Sequence, residues 1–141
     1  MKITRSAGDS KVAGKTQTKP TTIDLHQAAG SYDLFTGTTQ DVLIKSFIFR
    51  LPDINVSDDV GGITGISIQT NDTTAFTFVS SGAGVKANLT AEAELGWTGI
   101  KLLKTGKKIQ LTLIGGTADA DPTTCDVECE FEAVLSGGYL A

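Results

Sequence analysis

From Cys125 to Ala133, apolar and acidic side chains alternate without a break. Cys125, Val127, Cys129, Phe131 and Ala133 share one parity, and Asp126, Glu128, Glu130 and Glu132 share the other. A strand turns successive side chains to opposite faces, so this period predicts a β-strand with one apolar and one carboxylate face. A helix would stack Glu128 on Glu132 and leave no apolar stripe, so the two-residue period is preferred. Such a strand needs an apolar surface to lie on, which the earlier segments must supply.

They read in the same way. Ile23 and Leu25 alternate with Thr22 and Asp24 over 21–26, and Tyr32 and Leu34 alternate with Asp33 and Phe35 over 31–36. The longest β-rich run is Val42 to Leu51, stopped by Pro52, which cannot donate to a ladder. Strict alternation puts Val42, Ile44 and Ile48 with Ser46 and Arg50, and Leu43, Phe47, Phe49 and Leu51 with Lys45. Both faces are therefore partly apolar. One serves the core, and the other needs a second layer or a second subunit, which makes Val42, Ile44 and Ile48 a candidate seam between copies. Strands follow at 65–70, with Ile66 and Ile68 inward, and at 75–79, with Phe76 and Phe78 on one face. The alanine- and glutamate-bearing stretch 85–95 fits either a short helix or an irregular crossover. Further strands are expected at 97–103 and 108–114. If the latter pairs with 125–133, the basic and polar row of Lys108, Gln110 and Thr112 lies beside the carboxylates. Residues 137–140 form a tail. About eight short strands with no βαβ rhythm predict an all-β fold, an antiparallel β-sandwich or jelly roll.

A chain of 141 residues fits one domain and buries a core without staples. Sixteen glycines against 3 prolines suit many turns between short elements. Charge divides the chain more sharply than composition does. Residues 1–20 hold Lys2, Arg5, Lys11, Lys15 and Lys19 against Asp9, a balance of +4; the remainder holds 7 basic and 15 acidic side chains, a balance of −8. With few large apolar residues, 1–20 reads as an extended basic arm on a domain of residues 21–141, aimed at an acidic surface. The acidic body argues against nucleic acid as a general partner. No apolar run of signal-peptide or membrane-span length occurs, so a soluble protein made in a cytoplasm is expected, with no membrane partner. Cys125 and Cys129 lie about 13 Å apart along one strand, too far for a disulfide within the chain, and are expected as reduced, buried thiols.

Candidate chemistry thins out on inspection. Gly14-Lys15-Thr16 lacks the earlier glycine and the strand-loop-helix of a phosphate loop. His26 is the only histidine, and no nucleophile elbow frames a serine for it; a strand-end or surface position is expected. Asp119, Asp121 and Asp126 lack the register of a calcium loop. Glu128, Glu130 and Glu132 read as a wet sheet face rather than a general-acid pair. Asn71 and Asn88 head glycosylation triplets that are idle outside a secretory route. Trp97 reads as a core or interface residue. No catalytic residue, metal site or cofactor site is expected.

With the whole chain in view, Tyr32-Asp33-Leu34-Phe35-Thr36-Gly37 and the Val42-to-Leu51 strand resemble small virion proteins encoded among the head genes of tailed bacteriophages. Trp97-Thr98-Gly99, the run Gly106 to Thr112 and the Gly137-Gly138-Tyr139-Leu140 ending add to the resemblance, which covers roughly 21–141. It implies a capsid decoration, or cement, protein: a sandwich or jelly-roll module that trimerises on the outer head surface and clamps neighbouring capsomers. The major capsid protein and further copies of the chain would be its partners. The family has no catalytic residues to carry over. The arm lysines and Arg5 align with no family motif, so their capsid contact is an inference from charge. The competing expectation is a sugar-binding sandwich of a phage tail or fibre, with Trp97, Tyr32 and Tyr139 stacking on a ring.

Overall fold

The computed structural model describes residues 12–56 and 60–141. Among the described residues nine strands run in the order β1 (Thr16–Asp24), β2 (Gly30–Thr38), β3 (Val42–Arg50), β4 (Ile63–Thr70), β5 (Thr77–Val79), β6 (Glu94–Leu103), β7 (Lys108–Gly115), β8 (Thr124–Ala133) and β9 (Tyr139–Leu140). They form two sheets, one ordered β1-β8-β3-β6 and the other β5-β4-β7-β2-β9. Every strand pair is antiparallel. The fold is an all-β sandwich.

The alternating segment 125–133 lies at the heart of the first sheet, flanked by β1 and β3. Its odd positions Cys125, Val127, Cys129, Phe131 and Ala133 are all buried, and Asp126, Glu128 and Glu130 are exposed. Facing them across the sandwich are Ile66 and Ile68 of β4 and Ile109, Leu111 and Leu113 of β7, at most 2% exposed. Each such side chain contributes roughly 1.5–3 kcal/mol on leaving water. An aromatic chain ties the two sheets. Phe35 meets Phe47 edge-on at 6.5 Å, Phe47 stacks on Phe78 at 5.7 Å, and Trp97 packs edge-on against Phe78 at 4.9 Å and Phe76 at 5.5 Å. Pairs of this geometry add about 0.5–1.5 kcal/mol each beyond area burial.

The structure departs from strict alternation in β3. The register slips between Ile44 and Ser46: against β8 it leaves Lys45 as an extra residue of β3, whereas against β6 the extra residue lies in β6, between Thr98 and Lys101. A bulge of one residue switches the parity of everything beyond it. Val42 and Ile44 before the bulge, and Phe47 and Phe49 after it, therefore all point inward and are fully buried. Of the expected seam, Val42 and Ile44 belong to the core and only Ile48 lies on the outer face, half-buried. A second slip, between Asp33 and Phe35 in β2, buries the consecutive Leu34 and Phe35 by the same device.

Two further expectations change. β1 starts at Thr16 and pairs with β8 along its whole length, from Thr16↔Glu132 to Asp24↔Thr124, so the sandwich reaches into the stretch read as an arm. The threonine-rich 16–22 looks unlike a core strand because it is an edge strand whose partner supplies the grease. The strand of Lys108 does not pair with the carboxylate strand either: β7 and β8 lie in different sheets. Finally, 85–95 is an irregular crossover. Val85 bridges Gly65, Lys86–Asn88 makes one 3-10 turn, and Leu89 is buried. The crossover fits tightly because Gly84 has no side chain; a Cβ there would lie 2.1 Å from the Ile66 carbonyl oxygen.

Candidate interaction surface

The outer faces of the two sheets differ in chemistry. On the second sheet, Asp33, Ser31, Lys108, Gln110 and Thr112 form a closed polar lattice. Gln110 donates to Asp33 at 2.7 Å, Lys108 donates to it at 2.5 Å, and the Ser31 and Thr112 hydroxyls lie 2.9 Å apart. The amide of Gln110, then the ammonium of Lys108, hold the Asp33 carboxyl below the usual carboxylate range. These groups satisfy one another.

The outer face of the first sheet is uneven. Its β8 row is acidic, with Asp126, Glu128, Glu130 and Glu132 opposite Thr22, Pro20, Thr18 and Thr16 of β1. On the other side Arg50 reaches Glu94 at 3.3 Å and Glu128 at 3.9 Å, and the bulge residue Lys45 reaches Glu132 at 3.5 Å. Exposed pairs of this kind are worth about 0–1 kcal/mol each. Two cations thus serve three of the five carboxylates on this face and leave it net acidic. Past β3 the surface turns apolar. Register sets Ile48 beside Gly96 and Leu43 beside Leu102, and Ile100 lies between Thr98 and Leu102 on the same row of β6. Ile100 is 69% exposed and Leu102 39% exposed, although both are large aliphatic residues. The missing side chain of Gly96 leaves a shallow groove of about 420 Å³ bordered by Ser46, Ile48, Glu94 and Thr98. The carboxylates beside an aliphatic stripe suit contact with another macromolecule.

The other candidate residues fall into structural roles. His26 is buried at the end of β1. Its ring Nδ1–H donates to the Asp121 carbonyl and lies 3.1 Å from the Thr123 hydroxyl. Asp24 accepts the backbone N–H of His26 at 2.8 Å and of Thr123 at 2.9 Å, so this cluster pins β1 to the start of β8. Asp119 accepts the Asp121 N–H at 3.0 Å within its own loop, and no group of three metal-ligating side chains occurs among the described residues. Cys125 and Cys129 are free and buried, and burial pushes each thiol up to about 12, helped by Asp126 and Asp24 beside Cys125 and by Glu130 beside Cys129. Trp97 is clamped between Phe76 and Phe78 in the first sheet's edge, whereas Tyr32 and Tyr139 lie in the second sheet. The three do not share a face on which a sugar ring could stack.

Of the arm residues, Lys15 is exposed immediately before β1, and Lys19 lies within β1 opposite Cys129. Lys2, Arg5 and Lys11 lie outside the described residues. The sequence reading missed Gly96, Ile100 and Leu102. The signal was there in the even positions from Glu94 to Leu102, but it needs the register against β3 to show which parity faces outward.

No family model matches the chain, and no curated protein matches it in sequence. Among solved structures, the chain is similar to one from the acidic stable capsid structure of Helicobacter pylori bacteriophage KHP30. The TM-score is 0.57 over 92% of this chain and 95% of that one, at 9% sequence identity. At that identity the two share a fold.

Proposed function

We propose that this protein is a bacteriophage virion component, a capsid decoration protein that binds the outer head surface as a homotrimer and stabilises the shell. The observation that carries the reading is the fold shared, nearly end to end, with a chain of a phage capsid structure. The segments that resemble head-gene proteins from the sequence side, residues 32–37 and 42–51, form β2 and β3 in the middle of the sandwich. The uneven face of the first sheet supports a binding role, because it offers a partner both charge and exposed aliphatic area. The major capsid protein is the proposed partner, and the basic groups Lys2, Arg5, Lys11, Lys15 and Lys19 the proposed contacts with an acidic shell surface. Many weak copies on a lattice hold a shell more firmly than one tight contact does. No catalytic step and no cofactor is part of this proposal.

Purified protein added to heads that lack it tests the reading. It should co-sediment with them at a fixed copy number per head, and it should pass to a size consistent with three chains in light scattering. Heads that bind none of it would overturn the decoration role.

A further inference from the structure

The first sheet ends on β6, which hydrogen-bonds to β3 on one side and to no described strand on the other. It is ten residues long. The other terminal strands are less able to accept a neighbour: β5 has 3 residues, β9 has 2, and β1 carries Pro20 at its middle. Proline and short length are the usual protections of a sheet edge. β6 has neither, although its register against β3 slips once between Thr98 and Lys101; its outward row runs Glu94, Gly96, Thr98, Ile100, Leu102, with Lys104 next in line.

We propose that β6 pairs antiparallel with β6 of a second copy of this chain, across a two-fold axis at Gly99. In an antiparallel pair, directly opposite side chains share a face, so the axis must fall on a residue for the two outward rows to align. An axis at Gly99 sets Glu94 opposite Lys104, Gly96 opposite Leu102 and Thr98 opposite Ile100, each of them twice. Opposite charges then close both ends. Leu102 of each copy faces the groove that Gly96 leaves beside Ile48. An axis at Thr98 would instead set Glu94 against Leu102, and one at Ile100 would set it against Gly106, with no cation opposite; Glu94 also keeps Arg50 of its own chain at 3.3 Å. Charge complementarity thus selects one register. Ile48, the one expected seam residue on the surface, borders this contact. The contact is separate from the head contact and weaker than the one that would hold a trimer together; within a shell it would join neighbouring trimers to one another.

Cysteine trapping on the full chain reads the register directly. Thr98 and Ile100 are exposed, so Thr98→Cys and Ile100→Cys leave the core intact, and the buried native thiols do not compete. Mixed and mildly oxidised, the two variants should give a covalent dimer at least about tenfold faster than Thr98→Cys alone, because opposite Cα atoms lie within bridging range and offset ones do not. Glu94→Lys should slow that reaction about tenfold, and Lys104→Glu added to it should restore the rate. A control cysteine at Ser67, on the outer face of the other sheet, should not link. Equal rates for the mixture, Thr98→Cys alone and the Ser67 control would overturn the contact. Faster linking by Thr98→Cys alone would overturn the register.

Discussion

At the scale of single residues, the two thiols show how burial controls chemistry. Cys125 and Cys129 pack as small apolar side chains, and their ionisation is pushed from the ordinary thiol range up to about 12. Because the folded value lies above the unfolded one, their contribution to stability is fully present below about pH 9 and is lost as pH rises toward 12. Native protein at pH 8 should therefore resist a thiol reagent such as DTNB, and both thiols should react at once in denaturant; fast labelling of the native state would contradict the assigned burial. Gly84 makes a steric prediction. A methyl there meets the Ile66 carbonyl, and backbone cannot swing away, so Gly84→Ala should lower stability by about 1–3 kcal/mol in urea unfolding. The sequence announced the cysteines' role through their parity. It was silent on Gly84, because the close approach of that turn to β4 exists only after folding.

At the scale of elements, β8 and β3 show where pattern reading succeeds and where it stops. β8 is regular, so its period of two maps directly onto buried and exposed faces. β3 holds one extra residue, and a single insertion exchanges the inner and outer sets beyond it. Nothing in Ile44-Lys45-Ser46 distinguishes a bulge from a regular strand before the partners are known, which is why Val42 and Ile44 read as a seam and fold as core. Deleting Lys45 should straighten the strand and turn Phe47 and Phe49 to solvent, or Val42 and Ile44 if the other half holds its register. The deletion variant should fail to give a cooperative unfolding transition. Lys45→Ala keeps the spacing and loses only the Glu132 ion pair, and should cost no more than about 1 kcal/mol. β1 was misread for a related reason: an edge strand of threonines borrows its apolar partner from β8. On the second sheet, the depressed Asp33 carboxyl gives stability that is present above the unfolded aspartate value near 4 and lost as pH falls through the folded one. Asp33→Asn should lower stability modestly at neutral pH, where the charged contacts contribute, and flatten the acid side of the profile so that the two proteins converge as pH falls through that window; an unaltered acid limb would contradict the role given to Gln110 and Lys108.

At the scale of the whole molecule, the sandwich presents one self-satisfied polar sheet and one sheet that is acidic along β8 and aliphatic along β6. The fold class was legible because eight of the nine strands carry a local signature, and the shortest of them, Tyr139–Leu140, is held by pairing with Gly37 and Thr38 rather than by its own sequence. The interaction surface was not legible, since it is made of alternate residues from four strands brought together by register. A molecule organised in this way is suited to holding other proteins in place. The most direct measurement of that claim is the thermal stability of phage heads with and without this protein, with its density located on the particle by electron microscopy. The account predicts density on the outer head surface and genome release at a lower temperature when the protein is absent, restored by adding it back. Heads that release their genome at the same temperature in either case, with the protein's density found elsewhere on the virion, would contradict it.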